Sequence, residues 1–265
     1  FNNFTYDDQT DNYVQDHYQL LYSHTFSSVF SANTALHYTK GRGYYEEFKE
    51  DQNLANYGII PFPTSGIAIN KSDLVRRRWL DNNFYGLTYS LDYKPTGNIS
   101  YTLGGAYNEY DGDHFGEVIR GQFIPIGNSI TPYYKGNGFK TDFNSFAKAA
   151  LNIGNLSLFA DLQFRSVNYN VSGTDKNRMN LDQNDQLNFF NPKLGFNYKV
   201  NQKNNMYASI AIANKEPNRD DYINSSIANR PSAESLLNIE TGYRHSDENF
   251  IAGINAYAMY YKDQL

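Results

Sequence analysis

The sequence predicts an all-β fold, an antiparallel meander of about ten long strands that forms part of a transmembrane β-barrel. Three observations support this prediction. The composition favours strands over helices, apolar residues recur at every second position in a series of segments, and short connections between these segments alternate with long ones. Only the third observation distinguishes a membrane barrel from a soluble β-sandwich.

The composition is rich in aromatic residues and poor in long apolar runs. Among the 265 residues are 24 Tyr and 18 Phe, and both types favour strands. The mean hydropathy is -0.66, and no stretch approaches the run of about 18 apolar residues that a membrane-spanning helix needs. A barrel strand needs an apolar residue only at every second position, so a low mean hydropathy is compatible with a membrane barrel.

Charge and cysteine content exclude several function classes. The formal net charge is -5, and the only dense basic run is Arg76, Arg77 and Arg78, so no nucleic-acid-binding surface is expected. The sequence contains no cysteine, which excludes disulfides, thiolate metal sites and cysteine nucleophiles. The histidines are scattered, so we expect neither a catalytic site, a metal site nor a cofactor. The sequence therefore predicts a protein that is not an enzyme.

Residues 84–93 show the clearest alternation. One face carries Tyr85, Leu87, Tyr89, Leu91 and Tyr93, and the other carries Phe84, Gly86, Thr88, Ser90 and Asp92. Strict period-two alternation predicts a strand with one apolar side. In a barrel we expect the Tyr and Leu row to face lipid, with Thr88 and Ser90 toward the lumen.

The same unit recurs along the chain as pairs of alternating segments joined by short polar turns. The predicted hairpins are 13–24 with 29–40, 84–93 with 99–108, 143–153 with 156–170, 189–200 with 205–213, and 236–244 with 250–262. Tyrosines near the strand ends predict the aromatic girdles of a membrane barrel. These tyrosines are Tyr85, Tyr93, Tyr101, Tyr107, Tyr198 and Tyr243.

The connections between hairpins are much longer than the turns within them. They run approximately over 41–75, 112–142, 172–188 and 214–235, whereas the turns within hairpins have about two to five residues. Outer-membrane barrels place short turns at one end and long loops at the other. A lipocalin-like barrel or a sandwich core also alternates, but neither gives a reason for this sorting.

Two short segments near the end of the chain carry a family resemblance. Residues 215–222 have the sequence KEPNRDDY, and residues 230–237 have the sequence RPSAESLL. Together they resemble the late-barrel signature of TonB-dependent receptors, in which a Pro-Asn-Arg segment precedes a loop and a Pro-x-x-Glu-x-Leu segment opens the next strand. Residues 76–86 and 110–117 are similar to receptors of Bacteroides-type bacteria.

The resemblance implies a protein of the Gram-negative outer membrane, with a barrel of about 22 strands and a plug in its lumen. We therefore expect import of a scarce nutrient, with an iron–siderophore complex as the favoured substrate. The TonB inner-membrane complex would supply energy through the plug. Neither a plug nor terminal strands are visible in residues 1–265, so we interpret the chain as a single interior segment of such a barrel.

Basic and aromatic residues in the predicted loops and lumen are the candidates for ligand binding. Arg pairs with carboxylate or catecholate oxygens, and aromatic rings stack on flat ligands. The candidates are Arg76, Arg78, Tyr44, Tyr45, His114, Tyr133, Tyr134 and Arg219. His114 lies in an acidic cluster with Asp111, Asp113 and Glu117, which we interpret as a solvated loop rather than a metal site.

The basic run divides between two faces because side chains alternate along a strand. Arg76 and Arg78 are expected to face the lumen together with Phe84 and to capture the ligand. Arg77 and Trp79 are expected on the lipid side at headgroup level, where Trp is common. Arg77 is therefore predicted to contact lipopolysaccharide.

Two other function classes stay open. An outer-membrane barrel enzyme, such as a hydrolase or protease, would need a Ser/His/Asp or paired-carboxylate site near the rim, and the sequence offers no convincing one. A passive porin or adhesin would differ from a receptor by lacking a plug. Among nutrients, siderophore, haem, cobalamin and glycan all stay open.

Overall fold

The chain folds almost entirely into β-strands. The computed structural model describes residues 6, 9–60, 62–64, 67–95, 97–124, 132–223, 225 and 230–264. In chain order the strands are β1 (Asp11–Ser27), β2 (Phe30–Asn53), β3 (Phe62–Thr64), β4 (Ile67–Ile69), β5 (Lys71–Tyr93), β6 (Ile99–Gly121), β7 (Tyr134–Ile153), β8 (Leu156–Gly173), β9 (Gln183–Lys199), β10 (Asn204–Lys215), β11 (Glu234–Ser246) and β12 (Ile251–Lys262). The described residues also form a 3-10 turn (Leu54–Tyr57) and one short helix, α1 (Arg219–Ile223). No helix in this described part is long and apolar enough to cross a membrane.

Ten of these strands form one antiparallel sheet. Its order is β1-β2-β5-β6-β7-β8-β9-β10-β11-β12, and β3 pairs with β4 as a separate ribbon within the connection between β2 and β5. Each strand of the large sheet therefore pairs with its neighbours along the chain. All the predicted hairpins are present. The predicted fold class, an antiparallel meander of ten long strands, is confirmed.

The strands extend further toward the long loops than the sequence predicts. The predicted connection 41–75 is mostly strand, because β2 continues to Asn53 and β5 begins at Lys71. The predicted connection 112–142 is shortened in the same way. These stretches carry glycine and charged residues, so local alternation does not reveal the strand, although backbone pairing continues through them. The remaining connections, 54–70, 122–133, 174–182 and 216–233, are still longer than the turns at the opposite end.

The sheet has one apolar and one polar face, as the alternation predicts. Leu87 of β5 lies between Leu36 of β2 and Tyr107 of β6, so apolar residues adjoin across three strands. Thr88 and Ser90 lie on the opposite face. Because directly opposed residues of an antiparallel pair share a face, the apolar row continues from strand to strand.

The long connections fold over the polar face. Tyr133 and Tyr134 pack against Gly116 of β6, where even a single Cβ atom would collide with both rings. Gly116 is on the same face as Thr88. The polar face is therefore the lumen side, and the Tyr and Leu row of residues 85–93 faces outward, as predicted.

Exposed aromatic side chains form two rows on the outward face. The row nearer the long loops consists of Tyr18, Tyr38, Tyr85, Tyr107, Phe143, Phe164 and Phe190, and the row nearer the turns includes Phe26, Tyr93, Tyr101, Tyr198 and Tyr243. Tyr85 and Tyr93 are about 26 Å apart along β5 at about 3.3 Å per residue. The apolar band of an outer-membrane barrel is about 25 Å tall. The predicted girdle tyrosines thus lie at the two edges of such a band.

Buried apolar side chains concentrate beneath the long loops. The main cluster consists of Leu54, Tyr57, Ile59, Leu74, Val118, Tyr133 and Tyr134. Leu74 and Val118 belong to the barrel wall, while Leu54 and Tyr133 come from two different connections. Apolar burial therefore fixes these loops against the lumen side of the wall, where they position the site described below.

The outward apolar face can be tested at two adjacent positions in the full-length protein. Leu87→Arg should destabilise the folded barrel by about 2 kcal/mol, because the charge would lie in hydrocarbon. Thr88→Arg should leave the stability nearly unchanged, because its side chain points into the lumen. Denaturant unfolding in liposomes measures both changes. Equal effects at the two positions, or a larger effect at Thr88, would contradict the assigned facing.

Candidate functional site

All but one of the predicted ligand-binding residues lie at the loop-covered end of the lumen side. Arg76 and Arg78 belong to β5, Tyr45 to β2 and His114 to β6. Tyr133 covers them from the connection before β7 and Tyr134 from the first position of β7, and Arg219 approaches from the connection after β10. The exception is Tyr44.

Tyr44 lies on the outer face of the wall, which contradicts its prediction as a loop or lumen residue. Both Tyr44 and Tyr45 belong to β2, where consecutive side chains point to opposite faces. The Tyr44 ring lies 4.6 Å from the Trp79 ring and 4.2 Å from the guanidinium of Arg77. Arg77 and Trp79 thus face outward, as predicted, whereas Tyr45 lies in the lumen 5.4 Å from the guanidinium of Arg78.

Arg76 is already paired with a carboxylate of the wall. Its Nε donates to Glu47 Oε2 at 2.9 Å, and a second guanidinium nitrogen lies 2.8 Å from the same oxygen. A further nitrogen donates to Tyr57 Oη at 3.1 Å. Arg76 therefore joins β5 to β2 and to the first long loop, which makes it a weaker candidate for anion capture than Arg78.

Arg78 has no such carboxylate partner among the described residues. Its Nε donates to Tyr134 Oη at 3.5 Å, and its guanidinium lies over the Tyr45 ring. A hydroxyl and a π face orient a guanidinium without neutralising its charge. Arg78 therefore presents a net positive charge to the lumen.

Arg219 is oriented by a reciprocal cap at the start of α1. Asn218 Oδ1 accepts hydrogen bonds from the backbone N–H groups of Asp220 at 2.8 Å and Asp221 at 3.1 Å. In return, Asp221 Oδ2 accepts a hydrogen bond from the Asn218 N–H at 2.7 Å. This is a capping box built from Asn and Asp. The KEPNRDDY segment thus fixes its own backbone around Arg219.

A cavity of about 520 Å³ lies where these elements meet. The strands contribute Arg78, His114, Tyr134 and Gln183, and the connection after β10 contributes Arg219. The connection 174–182 closes another side. The sequence-predicted residues Arg78, His114, Tyr134 and Arg219 are therefore brought together from four separate parts of the chain.

Two polar atoms of this site are buried without a partner. Within the described part of the chain, Arg219 Nε and Gln183 Oε1 are both buried and make no hydrogen bond. An unmade hydrogen bond of a buried group costs about 1–3 kcal/mol. The Gln183 amide cannot simply reorient, because its Nε2 donates to the Tyr222 backbone carbonyl at 3.0 Å. The site therefore offers one donor and one acceptor to whatever enters it.

Of the two acidic residues that line the cavity, Asp175 is engaged by its own loop. Asp175 is buried, and its Oδ1 accepts hydrogen bonds from the backbone N–H groups of Asn177 at 2.9 Å and Met179 at 2.8 Å. These bonds direct the carboxylate toward the loop backbone. The remaining charged groups of the cavity lining are the cations Arg78, Lys176 and Arg219 and the exposed carboxylate of Asp220, so the lining keeps an excess of positive charge.

Tyr133 and Tyr222 carry neutral hydroxyls rather than phenolates. Burial raises the pKa of Tyr133, and burial together with a hydrogen bond to Asp185 raises the pKa of Tyr222. Both hydroxyls therefore stay protonated at neutral pH. Within the described residues, no group of three or more His, Asp or Glu side chains is placed to hold a metal ion.

Beside the cavity, a carboxylate of the Arg219 loop is bound by two cations of the wall. Glu216 accepts hydrogen bonds from Arg165 at 2.7 and 2.8 Å and from Lys140 Nζ at 2.7 Å. Arg165 also pairs with Asp142 of β7, at 2.5 Å. We refer to Glu216, Arg165, Lys140 and Asp142 together as the Glu216 clamp.

The clamp is maintained over a wide pH range. Burial alone would raise the pKa of the Glu216 carboxyl, but hydrogen bonds from Arg165 and Lys140 outweigh it and lower the pKa to about 2. A lowered folded-state pKa stabilises the fold above the unfolded pKa of about 4.3, and this stabilisation is lost as the pH falls toward the folded-state pKa. Glu216 is therefore ionised and bound at neutral pH.

Sequence reasoning missed Gln183 and the Glu216 clamp. The connection around Gln183 was recognisable only as a long loop, and nothing in its composition marks that residue. Glu216 lies within the KEPNRDDY segment, but its partners Arg165 and Lys140 are far away in the sequence. Arg165 lies within the predicted strand 156–170, but the alternation of that strand does not indicate its partners.

The comparison with family models identifies the chain. The model described as TonB dependent receptor-like, beta-barrel matches residues 1–265. The chain belongs to the TonB-dependent receptor family. Its expected likeness to Bacteroides-type receptors stays a prediction. No curated protein matches this receptor chain.

Solved structures similar to this receptor chain include three transporters or receptors for metals. The copper transporter OprC has a TM-score of 0.71 and 10% identity, and the match covers 95% of this chain and 39% of that chain. The ferric-catecholate import receptor Fiu from E. coli K12 has a TM-score of 0.62 and 11% identity, covering 97% and 42%. The siderophore receptor PiuA from Acinetobacter baumannii has a TM-score of 0.62 and 11% identity, covering 93% and 40%. At these identities the likeness shows the fold alone, and the chain spans less than half of each structure.

The packing of the loop tyrosines onto the wall can be tested with two glycines. Gly116→Ala should destabilise the full-length receptor by about 1–3 kcal/mol, because the added Cβ would collide with Tyr133 and Tyr134. Gly138→Ala on the neighbouring strand is the matched control, since the nearest atom to its Cβ is Tyr169 Oη at 3.8 Å. Denaturant unfolding compares the two. Equal stability of both variants would show that the tyrosines do not pack where the structure places them.

Proposed function

We propose that the complete receptor binds an anionic metal chelate, and specifically an iron–siderophore complex, and imports it unchanged across the outer membrane. The barrel wall and its long loops supply the binding site. A plug domain and the TonB inner-membrane complex would supply the coupling to energy. On the outer face, Arg77 and Trp79 are proposed to contact lipopolysaccharide.

The observation that supports this proposal best is the pair of cations without carboxylate partners. Arg78 and Arg219 line one cavity, and Arg219 Nε is buried without a hydrogen-bond partner in the described part of the chain. Carboxylate, catecholate and hydroxamate oxygens are the acceptors that a guanidinium binds best. An oxygen-rich anion would therefore satisfy the unpaired donor and offset the repulsion between the two arginines.

The aromatic side chains around this pair suit the same ligand class. Tyr45 and Tyr134 both contact Arg78, and Tyr134 also lines the cavity that Arg78 shares with Arg219. Flat aromatic chelating groups can stack on such rings while the chelate's charge pairs with the guanidinium groups. The names of Fiu and PiuA describe ferric-catecholate and siderophore uptake, which is consistent with this choice by analogy of fold only.

Growth of a deletion strain tests the substrate class. A strain without the receptor gene should grow normally in iron-rich medium and poorly when a ferric siderophore is the only iron source. Complementation with the intact gene should restore growth. Normal growth of the deletion strain on every ferric chelate, with a defect confined to a vitamin, haem or glycan source, would contradict the iron–siderophore proposal.

Substitutions at the cavity test the site itself. Arg78→Ala and Arg219→Ala should each weaken binding of the ferric chelate about tenfold, since a charge-assisted contact contributes about 1.5–3 kcal/mol. Arg77→Ala is the matched control, because the neighbouring side chain faces outward. Binding of the radioactive iron chelate to whole cells, titrated to saturation, measures the affinity. Equal loss in Arg77→Ala and Arg78→Ala would contradict a lumenal site.

A further inference from the structure

The loop that carries Arg219 is attached to the wall on both sides of that residue. On one side, Glu216 is bound by Arg165 of β8 and Lys140 of β7. On the other side, Tyr222 is only 2% exposed, and its hydroxyl donates to Asp185 Oδ2 at 2.7 Å. Arg219 therefore lies on a short segment of chain between two fixed points.

The Glu216 clamp is a balanced and partly desolvated group of charges. It has two cations, Arg165 and Lys140, and two carboxylates, Asp142 and Glu216, whose side chains are between 17% and 30% exposed. Removing one member of such a group leaves an uncompensated charge in a poorly hydrated position. Loss of the Glu216 charge should therefore release the loop, because Arg165 can still pair with Asp142 within the wall.

The position of Arg219 is coupled to that of Glu216, because the segment between them has few backbone torsions that can rotate. Pro217 is buried and has a fixed φ. Asn218 is held through its backbone and its side chain by the capping box with Asp220 and Asp221. A shift of Glu216 should therefore move Arg219 as well.

Arg219 also needs an attachment, because the cavity is electrostatically unfavourable to it when empty. Besides Arg219, the cavity lining contains the cations Arg78 and Lys176, against the loop-bound carboxylate of Asp175 and the exposed one of Asp220. Like charges that share a poorly hydrated site repel each other. Without another anchor, Arg219 would therefore move toward solvent, and the two guanidinium groups would no longer face the same ligand.

We propose that Glu216 is the positioning residue of the candidate ligand site: through Arg165 and Lys140 it fixes Arg219 opposite Arg78 and so sets the affinity for the anionic ligand. The effect on affinity rests on the proposed function, whereas the positioning of Arg219 does not. Glu216 itself does not contact the ligand in this account. Its role is to hold a neighbouring cation in an unfavourable place.

The positioning is measured directly with a spin label beside Arg219 in the full-length receptor. The sequence has no cysteine, so Asp220→Cys, at an exposed position, supplies a single labelling site in this segment. The electron paramagnetic resonance spectrum should show an immobilised label in the parent protein. Glu216→Gln, which keeps the side-chain size but removes the charge, should convert it to a mobile label.

Two further variants complete this measurement. Glu240→Gln is the matched control, because Glu240 lies on β11 away from the Arg219 loop, where it accepts a hydrogen bond from Tyr207 at 2.7 Å. Its spectrum should equal that of the parent protein. Lys140→Met is a milder change, because it leaves the Arg165–Glu216 ion pair in place. Its label should have a mobility between those of the parent protein and Glu216→Gln. The proposal would be overturned if the label stayed immobilised in Glu216→Gln. It would also be overturned if the label became as mobile in Glu240→Gln as in Glu216→Gln.

A double-mutant cycle separates positioning from general damage, with a ferric tris-catecholate complex as the probe. Glu216→Gln should weaken binding about tenfold in the parent receptor and have no effect when Arg219 is already Ala. Equal weakening in both backgrounds would overturn the positioning role. If the complex binds none of the proteins, including the parent, the proposed substrate class fails while the spin-label measurement still decides the role of Glu216.

Discussion

The structure depends on one constraint, which is that backbone groups in hydrocarbon must hydrogen-bond to other backbone groups. The eight inner strands of the sheet meet this constraint by pairing on both sides with their neighbours along the chain, whereas β1 and β12 pair on one side within the described residues. Pairing extends from the turns to the long loops. Because the side chains of a paired strand alternate between two faces, the outward face is left to the apolar residues and the polar side chains point to the lumen. Between the aromatic rows the outward face is mainly apolar, and the lumen face is mainly polar although it also carries Phe146 and Phe159. Beyond the upper row the strands continue with charged residues on both faces, interspersed with apolar ones such as Trp79 outside and Leu74 inside.

The same constraint explains why charges on the lumen side are mostly paired. A wall of fixed strands holds charged side chains at set positions, and poor hydration beneath the loops favours those that find a partner. Arg76 pairs with Glu47, and Arg165 pairs with Asp142 and Glu216. Arg78 and Arg219 differ from these two arginines, because the described residues give neither of them a carboxylate partner. The candidate site is thus defined by the cations that the wall leaves without a partner, and the wall also fixes where those cations lie.

The sequence predicted features that depend on neighbouring residues and missed contacts between residues that are far apart in the chain. Period-two alternation identified every strand of the large sheet and the outward facing of Tyr85 and Leu87, because alternation is expressed within a few residues. It failed where glycine and charge replace the apolar row, so Tyr44 was expected in the lumen although it lies on the outer face of β2. Arg78, His114 and Tyr134 were identified by residue type, and Arg219 is part of the KEPNRDDY segment. The Glu216 clamp joins residues from three distant segments, and no local pattern contains that information.

The most direct test of this account is accessibility along β5 in the full-length receptor reconstituted in liposomes. Spin labels are placed singly at positions 85 to 92, and their relaxation by oxygen, which partitions into lipid, is compared with relaxation by a water-soluble nickel chelate. The account predicts that oxygen accessibility peaks at positions 85, 87, 89 and 91 and that chelate accessibility is higher at the positions between them. Accessibility that does not alternate, or that peaks for oxygen at positions 88 and 90, would contradict the assignment of the two faces and with it the lumenal site.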